Sequence, residues 1–215
     1  MKDNKIKYIQ ILGPYNSGTN LISKILNENL SNVNINPLKK LDPLIIWKHT
    51  IDKNKLFRTV QNNKNTLFIC IYKPIFNWIH SIFNSSYEIK MEKINIKSSC
   101  QFTGKKYNNL IEIYNEYYLN YIKLISNFDN VIYMNYYDFI SKNSVNYINS
   151  KLKKFKLIIT KNNVKFILNN PGKNHGRSVK SAEEAFKNKK LNSDKIKDKE
   201  FIIKYYNKNI NKFFK

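Results

Sequence analysis

The chain has few of the residues that define a disulfide-bonded or metal-binding protein. Its 215 residues include only two cysteines, too few for a disulfide framework. The three histidines, His49, His80 and His175, stand far apart and have no cysteine or acidic neighbours at ligand spacing, so no metal site is predicted. No apolar run approaches the length of a membrane span, and because an apolar segment follows the first few residues, no signal peptide is expected. A soluble, cytoplasmic protein without a metal is expected.

Arginine and acidic residues are also scarce, whereas lysine is abundant. Of the 38 basic residues only Arg58 and Arg177 are arginines, and 15 acidic residues leave a formal net charge of +23. Such a charge is common among nucleic-acid-binding proteins. The lysines are spread along the chain, however, and base recognition relies heavily on arginine. We therefore interpret them as a solvated basic surface that would attract an anionic cofactor, and nucleic acid is not expected as a partner.

Glycine is rare as well, and two of the five glycines, Gly13 and Gly18, bound one polar loop between an apolar segment and an amphipathic one. A turn from a strand into a helix leaves backbone N–H groups without intrahelical partners, and these favour phosphate. The spacing G-x-x-x-x-G is that of a nucleotide-binding P-loop, but Thr19 and Asn20 follow where that motif has lysine and a hydroxyl residue. The alternative is a turn that binds nothing.

Apolar segments alternate with amphipathic ones along the whole chain. This alternation predicts an α/β fold with three layers, in which helices flank a mostly parallel central sheet with a P-loop-like core, in a single domain over residues 1–215. Strands are predicted at 6–12, 44–47 and 67–72 and within 130–140, helices at 20–30, 75–87, 107–127, 144–155 and 201–214, and a short helix with a loop at 52–65. Residues 87–106 are predicted to be an irregular loop or lid, and residues 170–178 a polar loop.

Polar residues follow three of the predicted strands, where ligands of parallel sheets collect. They are the loop Asn16–Asn20, Lys48 with His49, and Lys73 with Ser81. The spacing of eight in the last pair places a cation at a strand end and a hydroxyl two turns into the next helix, so both can grip one phosphate. Each residue alone is explained as a solvated surface group. Their order on successive strand–helix units favours one anion site.

The motifs NSGTN, WKH and K-P-x-x-x-W-x-x-S occur in this order and together resemble the sulfotransferases that use 3′-phosphoadenosine-5′-phosphosulfate (PAPS), over roughly residues 6–155. The resemblance implies in-line transfer of a sulfonyl group from PAPS to a hydroxyl or amine, with adenosine 3′,5′-bisphosphate as the product and no metal. The acceptor is expected to be a small molecule, a glycan or a peptide. The implied cofactor-binding residues are Asn16, Ser17, Gly18, Thr19, Asn20, Lys73, Ser81 and Arg177, and the implied catalytic residues are Lys48 and His49.

Within that resemblance, the individual residues take different roles. Lys48 would stabilise the sulfonate, and His49 would be the acceptor's base, with Glu88 or Asp138 as second choices. Arg177, in a late glycine-containing loop, would cover the 3′-phosphate or the adenine. Residues 87–106 and 170–190 are expected to shape the acceptor pocket.

Two departures from the family pattern concern activity. Asn16 stands where better-known members have a basic residue, and Lys73 stands where they have arginine. In addition, Lys48 and His49 are adjacent, so they would face opposite sides of a continuing strand. Three alternatives stay open: a PAPS-binding protein without turnover, a P-loop nucleotide kinase-like enzyme, and a basic nucleic-acid-binding protein without catalysis.

Overall fold

The computed structural model describes residues 6–35, 46–84, 90–91, 95–170, 173–174, 177–178, 181–188 and 196–214. The strands are β1 (Tyr8–Leu12), β2 (Asn34–Ile35), β3 (Thr66–Tyr72), β4 (Lys90–Met91), β5 (Cys100–Phe102), β6 (Lys105–Tyr107), β7 (Val131–Asn135), β8 (Lys173–Asn174) and β9 (Arg177–Ser178). The helices are α1 (Thr19–Asn29), α2 (Lys53–Asn62), α3 (Ile75–Asn84), α4 (Leu110–Asn127), α5 (Tyr136–Phe139), α6 (Ser144–Leu152), α7 (Lys161–Asn169), α8 (Ala182–Lys187), α9 (Lys199–Tyr205) and α10 (Lys208–Phe213).

A parallel sheet of strand order β2-β1-β3-β7 lies at the centre of the fold. Strand β1 pairs with β2 on one side and with β3 on the other, and β3 pairs with β7, all in parallel. The chain therefore runs from β1 outward to β2 and then returns to the opposite side of β1. This reversal creates a topological switch point between β1 and β3, the place where open parallel sheets bind ligands.

Helices cover both faces of this sheet. All seven residues of β3 are buried, as expected of a central strand, and they alternate between two apolar clusters. Phe68, Cys70 and Tyr72 face the cluster built with α2, α3, α4, α9 and α10. The opposite face, which includes Ile69, packs on α1, α5, α6 and α7. The predicted α/β fold with a mostly parallel sheet flanked by helices is confirmed.

The prediction of an irregular loop at 87–106 is wrong, because this segment contains three short strands. Strands β4, β5 and β6 form a small antiparallel sheet, with a tight turn at Thr103 and Gly104, whose φ angles are +49° and +80°. Its strands are only two or three residues long, too short to show alternation in the sequence. Likewise β8 and β9 pair within the predicted polar loop at 170–178.

The ends of several helices also differ from the prediction. Helix α4 begins at Leu110, because the Asn109 side chain accepts hydrogen bonds from two N–H groups of the first turn, and Tyr107 belongs to β6. Asn143, not Ser144, occupies the N-cap position of α6, and its side chain makes no capping hydrogen bond. The predicted C-terminal helix is divided into α9 and α10. The side chain of Asn115 bonds to Tyr205 O and Asn207 N, which ends the first helix.

The predicted strand at 44–47 is wrong where the structure describes it. Residues 46–47 have irregular conformation, and Lys48 and His49 form a turn. Residues 44–45 lie outside the described residues. The turn is nevertheless held against the sheet, because Gly13 N–H donates to Lys48 O at 3.0 Å. The two side chains therefore leave a turn, and the alternation of a strand does not apply to them.

Candidate functional site

The loop between β1 and α1 is a compact turn closed by Ser17. Both the N–H and the hydroxyl of Ser17 bond to Pro14 O, at 3.3 and 2.7 Å, and Ser17 is fully buried. Asn16 has the left-handed conformation at φ +59°. The Ser17 hydroxyl thus stabilises the conformation of the loop, and the predicted role of Ser17 in binding the cofactor stays a prediction.

Both glycines of the loop are required by close packing. A Cβ on Gly13 would lie 2.5 Å from Ser17 Oγ, and a Cβ on Gly18 would lie 2.6 Å from the Tyr136 ring. Gly18 also has φ +95° and precedes α1 as its N-cap without a side-chain hydrogen bond. The first turn of α1 is consequently not capped by a side chain at the position where a phosphate is predicted to bind.

Lys73 follows the last residue of β3 and reaches this loop. Its ammonium donates to Asn16 O at 2.9 Å and to Ser81 Oγ at 2.7 Å, and it lies 4.6 Å from the centre of the Tyr136 ring. Ser81 in turn donates to Asn77 O at 2.9 Å. The predicted pair of Lys73 and Ser81 is thus brought together, and it lies against Asn16 as well.

The charge of Lys73 has no acidic partner in the part of the chain that the structure describes. The side chain is buried, at 7% exposure, and its hydrogen bonds go only to neutral oxygens. Desolvation by burial lowers the pKa of Lys73 to about 7. A buried cation without a counter-ion is costly, so an anion placed beside this ammonium would offset the cost of its desolvation.

A second lysine reaches the other end of the loop. The Lys48 ammonium hydrogen-bonds Asn20 Oδ1 in the first turn of α1. Desolvation also lowers the pKa of Lys48, which is half-buried. The loop lacks the P-loop lysine in its own sequence, but Lys48 and Lys73 approach its two ends from neighbouring segments.

His49 is fixed against the start of the loop. Its Nδ1 lies 2.6 Å from Gly13 O, and because a carbonyl can only accept, Nδ1 carries the hydrogen. In the neutral imidazole the lone pair then resides on Nε2, which is the nitrogen suited to act as a base. The ring stacks on Tyr15 at 4.0 Å between centroids. Lys48 and His49 therefore both face the loop, contrary to the expectation for a strand.

Tyrosines, for which no local sequence pattern predicts a role in the site, complete its surroundings. Tyr136, directly after β7, covers both Gly18 and the Lys73 ammonium. Burial raises the pKa of Tyr136 to about 12, so its hydroxyl stays neutral. On α4, Tyr114 and Tyr117 donate to the backbone oxygens of Lys73 and His49. In the sequence, the tyrosines of α4 show only helical spacing. Such spacing is equally typical of residues that fill a hydrophobic core.

The remaining predicted residues are Thr19, Asp138, Glu88 and Arg177. Thr19 is a buried residue of the first turn of α1, and its methyl group faces Gly13. Asp138 is exposed on α5, and Glu88 lies outside the described residues. For Arg177 the structure gives the backbone pairing with Asn174 and nothing about the side chain. The role predicted for Arg177 stays a prediction.

The described ranges contain neither a candidate metal site nor a candidate membrane-spanning helix. No group of three or more metal-ligating side chains is present there, and none of the helices in them has the length and apolarity to cross a bilayer. Comparison with protein-family models, with curated proteins and with solved structures gives no match.

Proposed function

We propose that the protein is a PAPS-dependent sulfotransferase, which transfers a sulfonyl group to a hydroxyl or amine of its acceptor. The observation that carries the proposal is the buried ammonium of Lys73, which has no acidic partner among the described residues and lies at the switch point of the sheet. The ordered motifs around Asn16, Lys48 and Lys73 add the resemblance to this family.

The residues present fit an anion with two phosphate-bearing ends. Lys73 and Ser81, with Nζ and Oγ 2.7 Å apart, would hold the 3′-phosphate, and the N–H groups at the start of α1 would hold the 5′-phosphosulfate. Lys48, which contacts Asn20 at the first turn of α1, would lie beside the sulfonate. The missing basic residue at Asn16 is then offset by lysines from two neighbouring segments.

PAPS supplies an activated sulfonyl group whose sulfur–oxygen bond to the 5′-phosphate breaks as the acceptor oxygen or nitrogen bonds to sulfur. The chain's part is to orient the acceptor, receive its proton and stabilise developing charge. His49 Nε2 takes that proton, because Nδ1 is already a donor to Gly13 O. Lys48 neutralises charge on the sulfonate and on the departing phosphate, which keeps the electron pair of the broken bond.

Thermal unfolding with different ligands tests this proposal. Adenosine 3′,5′-bisphosphate should raise the melting temperature, whereas ATP with Mg²⁺ should have little effect, since a P-loop kinase-like site needs a lysine and a magnesium-binding hydroxyl after the second glycine. Duplex DNA serves as the third arm. Stabilisation by ATP–Mg²⁺ in preference to the bisphosphate, or stabilisation by DNA alone that declines steeply with salt, would overturn the proposal.

Variants then locate the binding. Lys73→Met and Ser81→Ala should each reduce stabilisation by the bisphosphate. Lys123→Met is the matched control, because Lys123 is exposed on α4 and the change in net charge is the same. An equal loss in Lys123→Met would mean that the ligand binds the basic surface in general, and not this site.

A further inference from the structure

Helix α4 carries four tyrosines on one buried face. Tyr114, Tyr117, Tyr118 and Tyr121 follow helical spacing, and each is at most 1% exposed. Burial raises the pKa of all four well above the ordinary value, so their hydroxyls remain protonated donors wherever the protein is folded. They differ in what those hydroxyls contact.

Two of these hydroxyls fix the backbone of Lys73. The Tyr114 hydroxyl donates to Lys73 O at 2.8 Å, and Lys73 N–H donates to the Tyr118 hydroxyl at 3.0 Å. Lys73 lies one residue beyond β3 and is followed by Pro74, which has no N–H. Both polar groups of the Lys73 backbone are thus held by side chains of α4, and this fixes the direction in which its own side chain leaves the sheet.

A third hydroxyl fixes the other candidate segment. Tyr117 donates to His49 O at 2.6 Å. One turn further along the helix, Asn120 donates to Ile51 O at 2.9 Å, so the same helix holds the chain on the C-terminal side of the turn. A single rigid helix therefore sets the positions of two segments that are distant in sequence.

We infer that three tyrosines of α4 are positioning residues, with Tyr114 and Tyr118 placing Lys73 for phosphate binding and Tyr117 placing His49 for proton transfer. The tasks of Lys73 and His49 in this inference rest on the proposed function. The placement of the two backbones does not, because it follows from the hydrogen bonds alone.

The fourth tyrosine provides an internal control. The Tyr121 hydroxyl is buried and has no hydrogen-bond partner among the described residues. Tyr→Phe changes keep the ring and remove only the hydroxyl. Tyr121→Phe therefore breaks no bond, whereas Tyr114→Phe leaves a buried carbonyl oxygen of Lys73 without its donor.

The test uses the full chain and two measurements at Lys73. The titration of its ammonium is followed by NMR on protein with ¹⁵N-labelled lysine side chains, with Lys73→Arg assigning the signal, and bisphosphate affinity is measured by calorimetry. Tyr114→Phe should move the Lys73 midpoint upward from about 7, since a looser side chain gains water. It should also weaken bisphosphate binding about tenfold. Tyr121→Phe should change neither value.

Tyr117→Phe tests the positioning of His49 separately from that of Lys73. It should lower the rate of transfer about tenfold while leaving bisphosphate affinity at the wild-type value. Equal Lys73 midpoints and affinities in Tyr114→Phe and Tyr121→Phe would overturn the inference, even if Tyr114→Phe were less stable. A midpoint that moves only in Tyr114→Phe, in a protein that binds no bisphosphate, would uphold the positioning of Lys73 and refute the proposed function.

Discussion

Raising the pH from 7 to 9 should weaken the binding of adenosine 3′,5′-bisphosphate about fiftyfold, because Lys73 loses its proton when no anion is bound. The pKa of Lys73 is lowered to about 7 by burial in the ligand-free protein. A phosphate beside the ammonium favours the charged form and returns the pKa toward or above its ordinary value. Binding above neutral pH must therefore take up a proton.

The magnitude follows from the fraction of Lys73 that is charged. With a free pKa of about 7, about half of the molecules carry the ammonium at pH 7 and only about one in a hundred at pH 9. The affinity is therefore highest at pH values below the pKa of Lys73 in the ligand-free protein. Above that pKa it falls about tenfold per pH unit, until the pH reaches the pKa of Lys73 in the complex. The phosphates, with second pKa values near 6, are fully ionised over this window and add no slope of their own.

Calorimetry in buffers of different ionisation enthalpy measures both quantities. At pH 8 the wild-type protein should take up about 0.9 protons per bisphosphate bound. Lys73→Met should bind weakly and without this uptake, whereas the control Lys123→Met should retain it. A binding constant that is flat between pH 7 and 9, with no proton uptake, would refute the reasoning about the buried ammonium.

The lowered pKa of Lys73 has the opposite effect on the stability of the ligand-free protein: the free energy of unfolding should rise with pH, whereas the affinity for the bisphosphate should fall. Its folded pKa lies below the unfolded value of 10.5, so between these values the unfolded state holds more protons, and the free energy of unfolding contributed by Lys73 rises with pH by up to about 1.4 kcal/mol per unit. Denaturant titrations between pH 7 and 9 should show this rise in the wild type and its loss in Lys73→Met. Parallel curves for the two proteins would contradict it.

Three further changes have distinct expected results. Gly104→Ala should lower the free energy of unfolding by roughly 1 kcal/mol, and Gly18→Ala should lower it by more. Both glycines have positive φ, but of the two only Gly18 would place a Cβ against another group, the Tyr136 ring at 2.6 Å. Denaturant midpoints check this, and equal losses would show that Tyr136 yields without cost. Lys48→Met should lower the transfer rate more than bisphosphate affinity, and kinetics with calorimetry would expose the reverse order. Tyr136→Leu removes the aromatic ring that stabilises the Lys73 ammonium and should lower the titration midpoint of Lys73, which the same NMR measurement detects.

The sequence was informative wherever a local pattern has one structural solution. The apolar run of β3 could only be a strand covered on both faces, and all of its residues are buried. The glycines at 13 and 18 marked a turn into a helix, and both prove necessary for close packing. Because Lys73 follows β3 and Ser81 lies two turns into the next helix, their spacing of eight was enough to predict that both side chains reach one place.

Other features were set by contacts between distant segments and had no local signal. The turn at Lys48 and His49 looked like a strand end, but Gly13 N–H and the Tyr117 hydroxyl hold it from elsewhere in the chain. The small antiparallel sheet at β4, β5 and β6 has strands shorter than the period that would identify them. The tyrosines of α4 showed only the spacing of a buried face.

What the sequence determined by itself is the position of β1, β3 and β7, the buried faces of the helices that flank them and the polar residues that follow the strands, because hydrophobic periodicity and turn chemistry act within a few residues. Only the tertiary structure decided which atoms of the loop and of α1 the two lysines contact, and that Lys73 is buried without an acidic partner among the described residues. The Tyr114 hydroxyl bonds to a carbonyl 41 residues away. Single hydrogen bonds over such separations carry no periodicity, so only the folded chain reveals them.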